Sequence, residues 1–197
     1  MRQARQQNLG SLPAAVLVAC LAGGACHSVS EVMPPEFAPL ESSELGTMHN
    51  VSVSDDLWFG GQPTSDDLDL ARRRGIQRII AVFMPGELGD LDLEGTCEAL
   101  GFEECISIEI PAGQAIAAEA VDQVIDLLGE PDRPRTLLFC RDGSVSAMLF
   151  AIHRRVNEDM PLEQAIAEAR RSGMRTGAES EAFVRNQVLR LGTRGGE

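Results

Sequence analysis

The strongest constraint on this chain is an alternation. Between about residues 48 and 192, short apolar segments take turns with longer segments of helical period. Residues 76–83, 105–110 and 136–139 are dominated by Ile, Val, Leu and Phe, which predicts buried strands. Residues 50–53 and 57–60 predict two further short strands. Helices are expected between them. Thr64 caps one that runs to Arg74, with Asp66 and Asp67 in its first turn, Arg72 to Arg74 in its last, and Gly75 as a stop. The helix dipole accounts for Asp66, Asp67 and Asp69. Residues 91–100 form a short helix ended by Gly101. Residues 115–128 carry Ile116, Val121, Val124, Ile125 and Leu128 on one face. Further helices are predicted over 144–156, from Pro161 to Ser172, and over 179–191. Strands that alternate with helices imply an α/β fold, with a central, mostly parallel sheet flanked by helices on both faces.

Charge narrows the function classes. All 17 basic residues are Arg, against 30 acidic ones, and the formal charge is −13. A nucleic-acid binder needs a basic footprint, and single-strand binders need aromatic platforms, so both are excluded. A small anionic ligand is not, because a local pocket can oppose the overall field. No group of His, Cys and carboxylates has metal-ligand spacing, so no metal or other cofactor is expected. His153 reads as surface or packing, and His27 and His49 lie in or beside a tether.

The N-terminus reads as a processing segment. Residues 1–26 hold no acid, Arg2 and Arg5 form a basic start, and an apolar stretch from Leu9 to Ala25 is too short and broken to span a membrane. Its end resembles a bacterial lipoprotein signal, in which small residues precede a Cys that is lipidated. Cys26, after Gly23-Gly24-Ala25, is the expected site. Cys20, after Leu17-Val18-Ala19, is the alternative, and an ordinary signal peptide with incidental Cys is the plain reading. Neither Cys is followed by Asp. By that resemblance the anchor would sit in the outer membrane, on its periplasmic side. Removing residues 1–25 takes away two Arg and no acid, so the charge moves from −13 to −15. Residues 27–47, rich in Pro, Ser and Glu, are expected to be a flexible tether. The folded domain is expected over 48–192, with 193–197 as a tail.

The segment Thr136-Leu137-Leu138-Phe139-Cys140-Arg141-Asp142-Gly143-Ser144-Val145-Ser146 carries the chemistry. A buried strand ends in Cys, a short turn holds Gly, and a helix begins. Backbone N–H groups of the turn and the helix N-terminus then converge on one spot, which favours an anion and activates a thiol. Gly143 lets the backbone approach such an anion closely. The plain alternative is that Cys140 is a packed strand-end thiol.

With these residues in place, the sequence resembles the bacterial beta-lactamase-hydrolase-like protein phosphatases, within the cysteine-dependent, dual-specificity and tyrosine phosphatase superfamily. The resemblance runs through Gly60-Gly61-Gln62-Pro63-Thr64, through Gly75, Ile76, Ile79 and Ile80, through Glu87, Ile108-Glu109-Ile110-Pro111 and Cys140-Arg141-Asp142-Gly143, to Ala165, Ala169, Arg170 and Gly173. It implies a Cys140 nucleophile and an anion-binding loop of Arg141, Asp142, Gly143, Ser144, Val145 and Ser146.

The departures matter as much. The family's loop Arg falls six or five residues after the Cys, where this chain has Ser146 and Val145. Neither offers a bidentate fork for phosphate. Losing one such transition-state donor costs roughly 10²–10³ in rate. Asp142 replaces a small residue, Phe139 a His and Met84 an Arg. No Asp follows Pro111 as general acid; Glu109 and Asp132 are the remaining candidates.

The resemblance therefore implies a pseudophosphatase that binds a phosphorylated or anionic ligand or a protein partner. The alternative is a working phosphatase that uses Cys140 and an Arg from elsewhere, Arg141 or the 170–175 segment. A third reading is rhodanese-like sulfur transfer through Cys140. Cys97 and Cys105 flank a helix-to-strand connection. They either pair in an oxidising compartment, leaving Cys140 as the free thiol, or remain reduced.

Overall fold

The structure is a computed structural model that describes residues 37–111 and 115–193. Its elements, in chain order, are β1 (Glu41–Ser42), β2 (Ser52–Ser54), β3 (Leu57–Gly60), α1 (Ser65–Arg73), β4 (Arg78–Phe83), α2 (Leu93–Leu100), β5 (Glu104–Glu109), α3 (Ala118–Leu128), β6 (Thr136–Phe139), α4 (Ser144–Val156), α5 (Leu162–Arg171) and α6 (Ala178–Gly192). One sheet has the order β1-β2-β3-β6-β4-β5. β3, β6, β4 and β5 run parallel, and β1 and β2 extend the β3 edge as antiparallel strands. The expected α/β architecture is the one observed.

Period-two alternation divides the core. Ile79, Ala81, Phe83, Leu137 and Phe139 face the cluster that includes Leu68, Ala71 and Cys97 from α1 and α2. Ile80, Val82, Leu138, Leu57 and Phe59 face the opposite cluster, built with residues of α3, α4, α5 and α6. Strands covered on both sides need apolar residues at successive positions, and β4 and β6 are buried throughout.

Element edges shift where capping and tertiary contacts act. β4 starts at Arg78 rather than at residue 76, because the Ile76 N–H closes back on Ala71. α2 starts after Asp92, whose carboxylate accepts from the Gly95 N–H. α3 begins at Ala118 rather than 115, with Ala117 extended as its N-cap. β2 begins at Ser52, because Asn50 takes a positive φ of 54° and leaves the strand conformation.

The expected tether is corrected at its C-terminal end. Residues 37–47 are part of the fold: β1 pairs with β2, Leu45 is fully buried, and Phe37 and Leu40 pack on the core. Two buried side chains hold this segment. Arg154 donates to the Ala38 carbonyl at 2.8 Å. Asp67 accepts from the Thr47 N–H at 2.7 Å and from its hydroxyl at 2.8 Å. Asp67 therefore does more than complement a dipole; it also accepts the Thr64 N–H and completes a capping box. Residues 1–36 and 194–197, with the expected lipidation sites Cys26 and Cys20, lie outside the described residues.

Cys97 and Cys105 are joined as a disulfide, with Cα atoms 6.2 Å apart. It ties α2 to β5, and Cys140 is left as a free, buried thiol. His153 is packed rather than exposed. Its ring lies beside Asn157 and Glu158, and burial pushes its pKa down.

Candidate functional site

β6 delivers Cys140 at its C-terminal end, and α4 starts four residues later. Gly143 between them has φ 86°, a conformation that L side chains rarely adopt. A Cβ there would also lie 3.0 Å from the Asn50 Cβ and 3.3 Å from the Gly60 carbonyl carbon. The glycine is therefore required by its own conformation and by close packing against Asn50 and the Gly60-Gly61 backbone. Three contacts fix the loop to the β3 edge. The Asn50 amide donates to the Asp142 carbonyl at 2.8 Å, the Gln62 N–H donates to the Arg141 carbonyl at 3.3 Å, and the Cys140 N–H donates to the Gly60 carbonyl at 3.2 Å.

Asn50 also organises the far side. Gly173, just after α5, has φ 103°, and a Cβ there would meet the Asn50 Cβ at 2.9 Å. This close approach brings the chain after α5 against the loop, and Arg175 follows two residues later. No local pattern singles out Asn50, and sequence reasoning missed it.

Cys140 is 2% exposed. Its sulfur accepts the Ser146 N–H at 3.4 Å and lies 4.0 Å from Asp142 Oδ1. Ser146 is fully buried. Its hydroxyl lies 2.9 Å from both the Gly60 and the Gly143 carbonyl oxygens. That position thus staples the loop to β3. Val145 lines the adjoining cavity.

The Asp142 carboxylate folds back onto the loop with one oxygen and faces the rim with the other. Its Oδ1 accepts from the Ser144 N–H at 3.0 Å and from the Ser144 hydroxyl at 2.6 Å. Its Oδ2 accepts from Arg175, at 2.5 Å from one terminal nitrogen and 3.2 Å from Nε. Partial burial pushes the carboxyl up, but the Ser144 hydroxyl, the Arg175 guanidinium and the Ser144 N–H outweigh it and hold the pKa at about 2. The first N–H of α4 is thus occupied by the chain's own carboxylate.

Of the candidate replacement arginines, Arg170 and Arg171 do not line the cavity beside Cys140, and Arg141 and Arg175 are both paired. Arg141 lies 3.6 Å from Glu87, whose other oxygen accepts the Met84 N–H at 2.8 Å. Arg175 is on Asp142. The cavity beside Cys140 has a volume of about 450 Å³. Val82, Met84, Ile110, Ile116, Met148 and Phe183 supply its apolar wall. Its charged lining is Glu87, Asp142 and Glu179 against Arg141 and Arg175. Glu109 and Asp132 do not line it.

The site is built from a strand that ends in a buried Cys, a tight turn through a left-handed glycine and a helix that starts over the thiol, on a mostly parallel sheet. Comparison with solved structures finds the same fold in phosphatases. Tk-PTP in its active form superposes with a TM-score of 0.57 at 19% identity, over 68% of this chain and 91% of that one. The core catalytic domain of the PP-IP phosphatase Siw14 from S. cerevisiae, in complex with citrate, gives 0.57 at 15% identity, over 75% and 93%. PTPMT1 in complex with PI(5)P gives 0.59 at 13% identity, over 71% and 94%. No family model matches the sequence, and none of the curated proteins matches it.

Proposed function

We propose that this protein is a pseudophosphatase: a phosphatase-fold domain that binds rather than hydrolyses, exported and held at the periplasmic face of the outer membrane by a lipid on Cys26, or on Cys20. The observation that carries the catalytic part is the pairing of Asp142 within the loop. Its carboxylate takes the Ser144 N–H and hydroxyl and the Arg175 guanidinium, the groups a phosphate would need. Ser146 supplies no cation in their place, and the thiol is buried beneath. Dianionic phosphate would have to displace a carboxylate and then sit among three acids and two paired arginines. Of the two ligand classes this fold allows, the lining favours a protein partner over an anion.

The test is hydrolysis of p-nitrophenyl phosphate by the reduced protein beside Cys140→Ser. The expected result is no turnover above the Cys140→Ser background. Turnover that Cys140→Ser abolishes overturns the reading.

One observation favours a second reading, a working phosphomonoesterase with a Cys140 phosphoenzyme. Arg175 is three-quarters exposed at the rim of the cavity that Cys140 lines, so it could follow a phosphate into the loop. Activity abolished by Arg175→Ala as well as Cys140→Ser would establish it. The anchor is tested separately by palmitate incorporation, expected in the natural chain and absent in Cys26→Ser. Loss in Cys20→Ser alone moves the site to Cys20, and incorporation that survives both substitutions overturns the anchor.

A further inference from the structure

We infer that the cavity beside Cys140 receives an apolar side chain of a protein partner whose neighbouring Arg or Lys pairs with Asp142 at the rim, and that Asp142 sets this preference. The inference rests on the binding-module reading and names its partner's chemistry.

The cavity offers two kinds of surface. The wall of Val82, Met84, Ile110, Ile116, Met148 and Phe183 is apolar and large enough for one aromatic or branched side chain. The rim carries the charge. Glu179 stands exposed in the first turn of α6, and Asp142 presents Oδ2 outward. With Glu87 counted against Arg141, and Asp142 against Arg175, the lining keeps one negative charge.

Arg175 shows in this molecule what Asp142 binds. Its guanidinium holds Oδ2 from the solvent side, with the side chain 75% exposed. An exposed ion pair of that kind contributes little and is readily exchanged. A partner guanidinium could replace it on Oδ2 while its neighbouring residue enters the apolar cavity. The exchange then gains apolar burial without leaving a carboxylate unpaired.

A phosphate or carboxylate meets the reverse situation. It faces Oδ1 and Oδ2 of Asp142 together with Glu179, and the Ser144 donors are already taken. The net charge of −13 acts in the same direction at longer range, steering basic partners in and acidic ones away.

The experiment uses the full chain in lipid nanodiscs with its methionine methyl groups labelled for NMR. Met84 and Met148 line the cavity, while Met48 and Met160 are buried elsewhere and report on the fold. The probes are the capped dipeptides Ac-Phe-Arg-amide and Ac-Phe-Glu-amide, and phenyl phosphate. Ac-Phe-Arg-amide is expected to shift Met84 and Met148, leave Met48 and Met160 unmoved, and bind at least about fivefold tighter than Ac-Phe-Glu-amide, the ratio narrowing with salt. Phenyl phosphate is expected to shift neither cavity methionine.

In Asp142→Asn the Arg-over-Glu ratio is expected to fall to about twofold or less. Asp142→Ala, which clears the loop, is expected to admit phenyl phosphate. A variant whose Met48 and Met160 signals collapse is set aside, and the natural chain's own probe ranking decides. The inference is overturned if Ac-Phe-Glu-amide or phenyl phosphate binds the natural chain as well as Ac-Phe-Arg-amide, if no probe moves Met84 and Met148, or if Asp142→Asn keeps the full preference. Phenyl phosphate bound without hydrolysis overturns this inference alone, whereas phenyl phosphate hydrolysed through Cys140 overturns the binding-module reading beneath it.

Discussion

Arg154→Met tests the packing logic that holds the N-terminal segment to the domain. Arg154 is 1% exposed on α4, the helix whose first turn carries the Cys140 loop. Its Nε lies 3.1 Å from Glu168, a terminal nitrogen pairs with Glu158, and another donates to the Ala38 carbonyl at 2.8 Å. The guanidinium also stands 5.6 Å from the Phe37 ring centre and 5.5 Å from that of Phe150. Met keeps most of the stem's apolar contact but leaves Glu168, itself nearly buried, without its cation.

Breaking one side of a buried pair costs about 3–5 kcal/mol, mostly as the penalty on the stranded charge. The two ring contacts add roughly 0.5–1 kcal/mol each, and Met packing returns part of this. The expected loss is therefore about 4 kcal/mol, read as a fall in Tm of roughly 8–16 °C for a domain of this size. Urea denaturation followed by circular dichroism measures it. Adding Glu168→Gln to Arg154→Met removes the stranded charge and should recover at least about 2 kcal/mol. A loss under about 1 kcal/mol, or a double variant no better than the single, would refute the argument that Arg154 compensates a buried carboxylate.

Three further outcomes follow from the same geometry. The Asp142 carboxyl has a folded-state pKa of about 2 against an ordinary 3.8, so its contribution is complete above about pH 4 and disappears as the pH falls towards 2. Because its side chain is 41% exposed, solvent screening cuts that contribution to about 1 kcal/mol; stability of the natural chain and Asp142→Asn measured from pH 6 to pH 2 should converge at the acid end. Asp67→Ala strands the Thr47 and Thr64 N–H groups and the Thr47 hydroxyl, and should cost about 2–3 kcal/mol by urea denaturation, with early proteolysis near residues 44–48. Cys97→Ser with Cys105→Ser opens a loop of sequence separation 8, and should cost about 2.5 kcal/mol by loop entropy without changing Cys140 reactivity towards a thiol reagent.

Much of the scaffold is legible in the residues alone. β6 and α4 occupy the predicted residues 136–139 and 144–156. The signals there are local: an apolar run too short for a helix, a turn glycine, and then a helical period. The boundaries that moved did so where a side chain or backbone group of another element competes, as when the Ile76 N–H turns back to Ala71. The segment 37–47 carries no periodicity, and partners distant in sequence, β2, Asp67 and Arg154 among them, order it.

Residue type and spacing alone established that a Cys sits between a strand and a helix, that Val145 and Ser146 rather than an Arg stand five and six residues after it, and that the chain is strongly acidic. These properties belong to neighbouring residues on one stretch of backbone, so a linear reading finds them. Tertiary structure alone decided which way Asp142 points, that Ser146 staples the loop to β3, and that Arg175 crosses 33 positions to pair with Asp142. The direction of a side chain and the partner of a charge depend on groups that only folding brings together. At this site those long-range choices pair Asp142 with Arg175, and Glu179 leaves the lining with one negative charge.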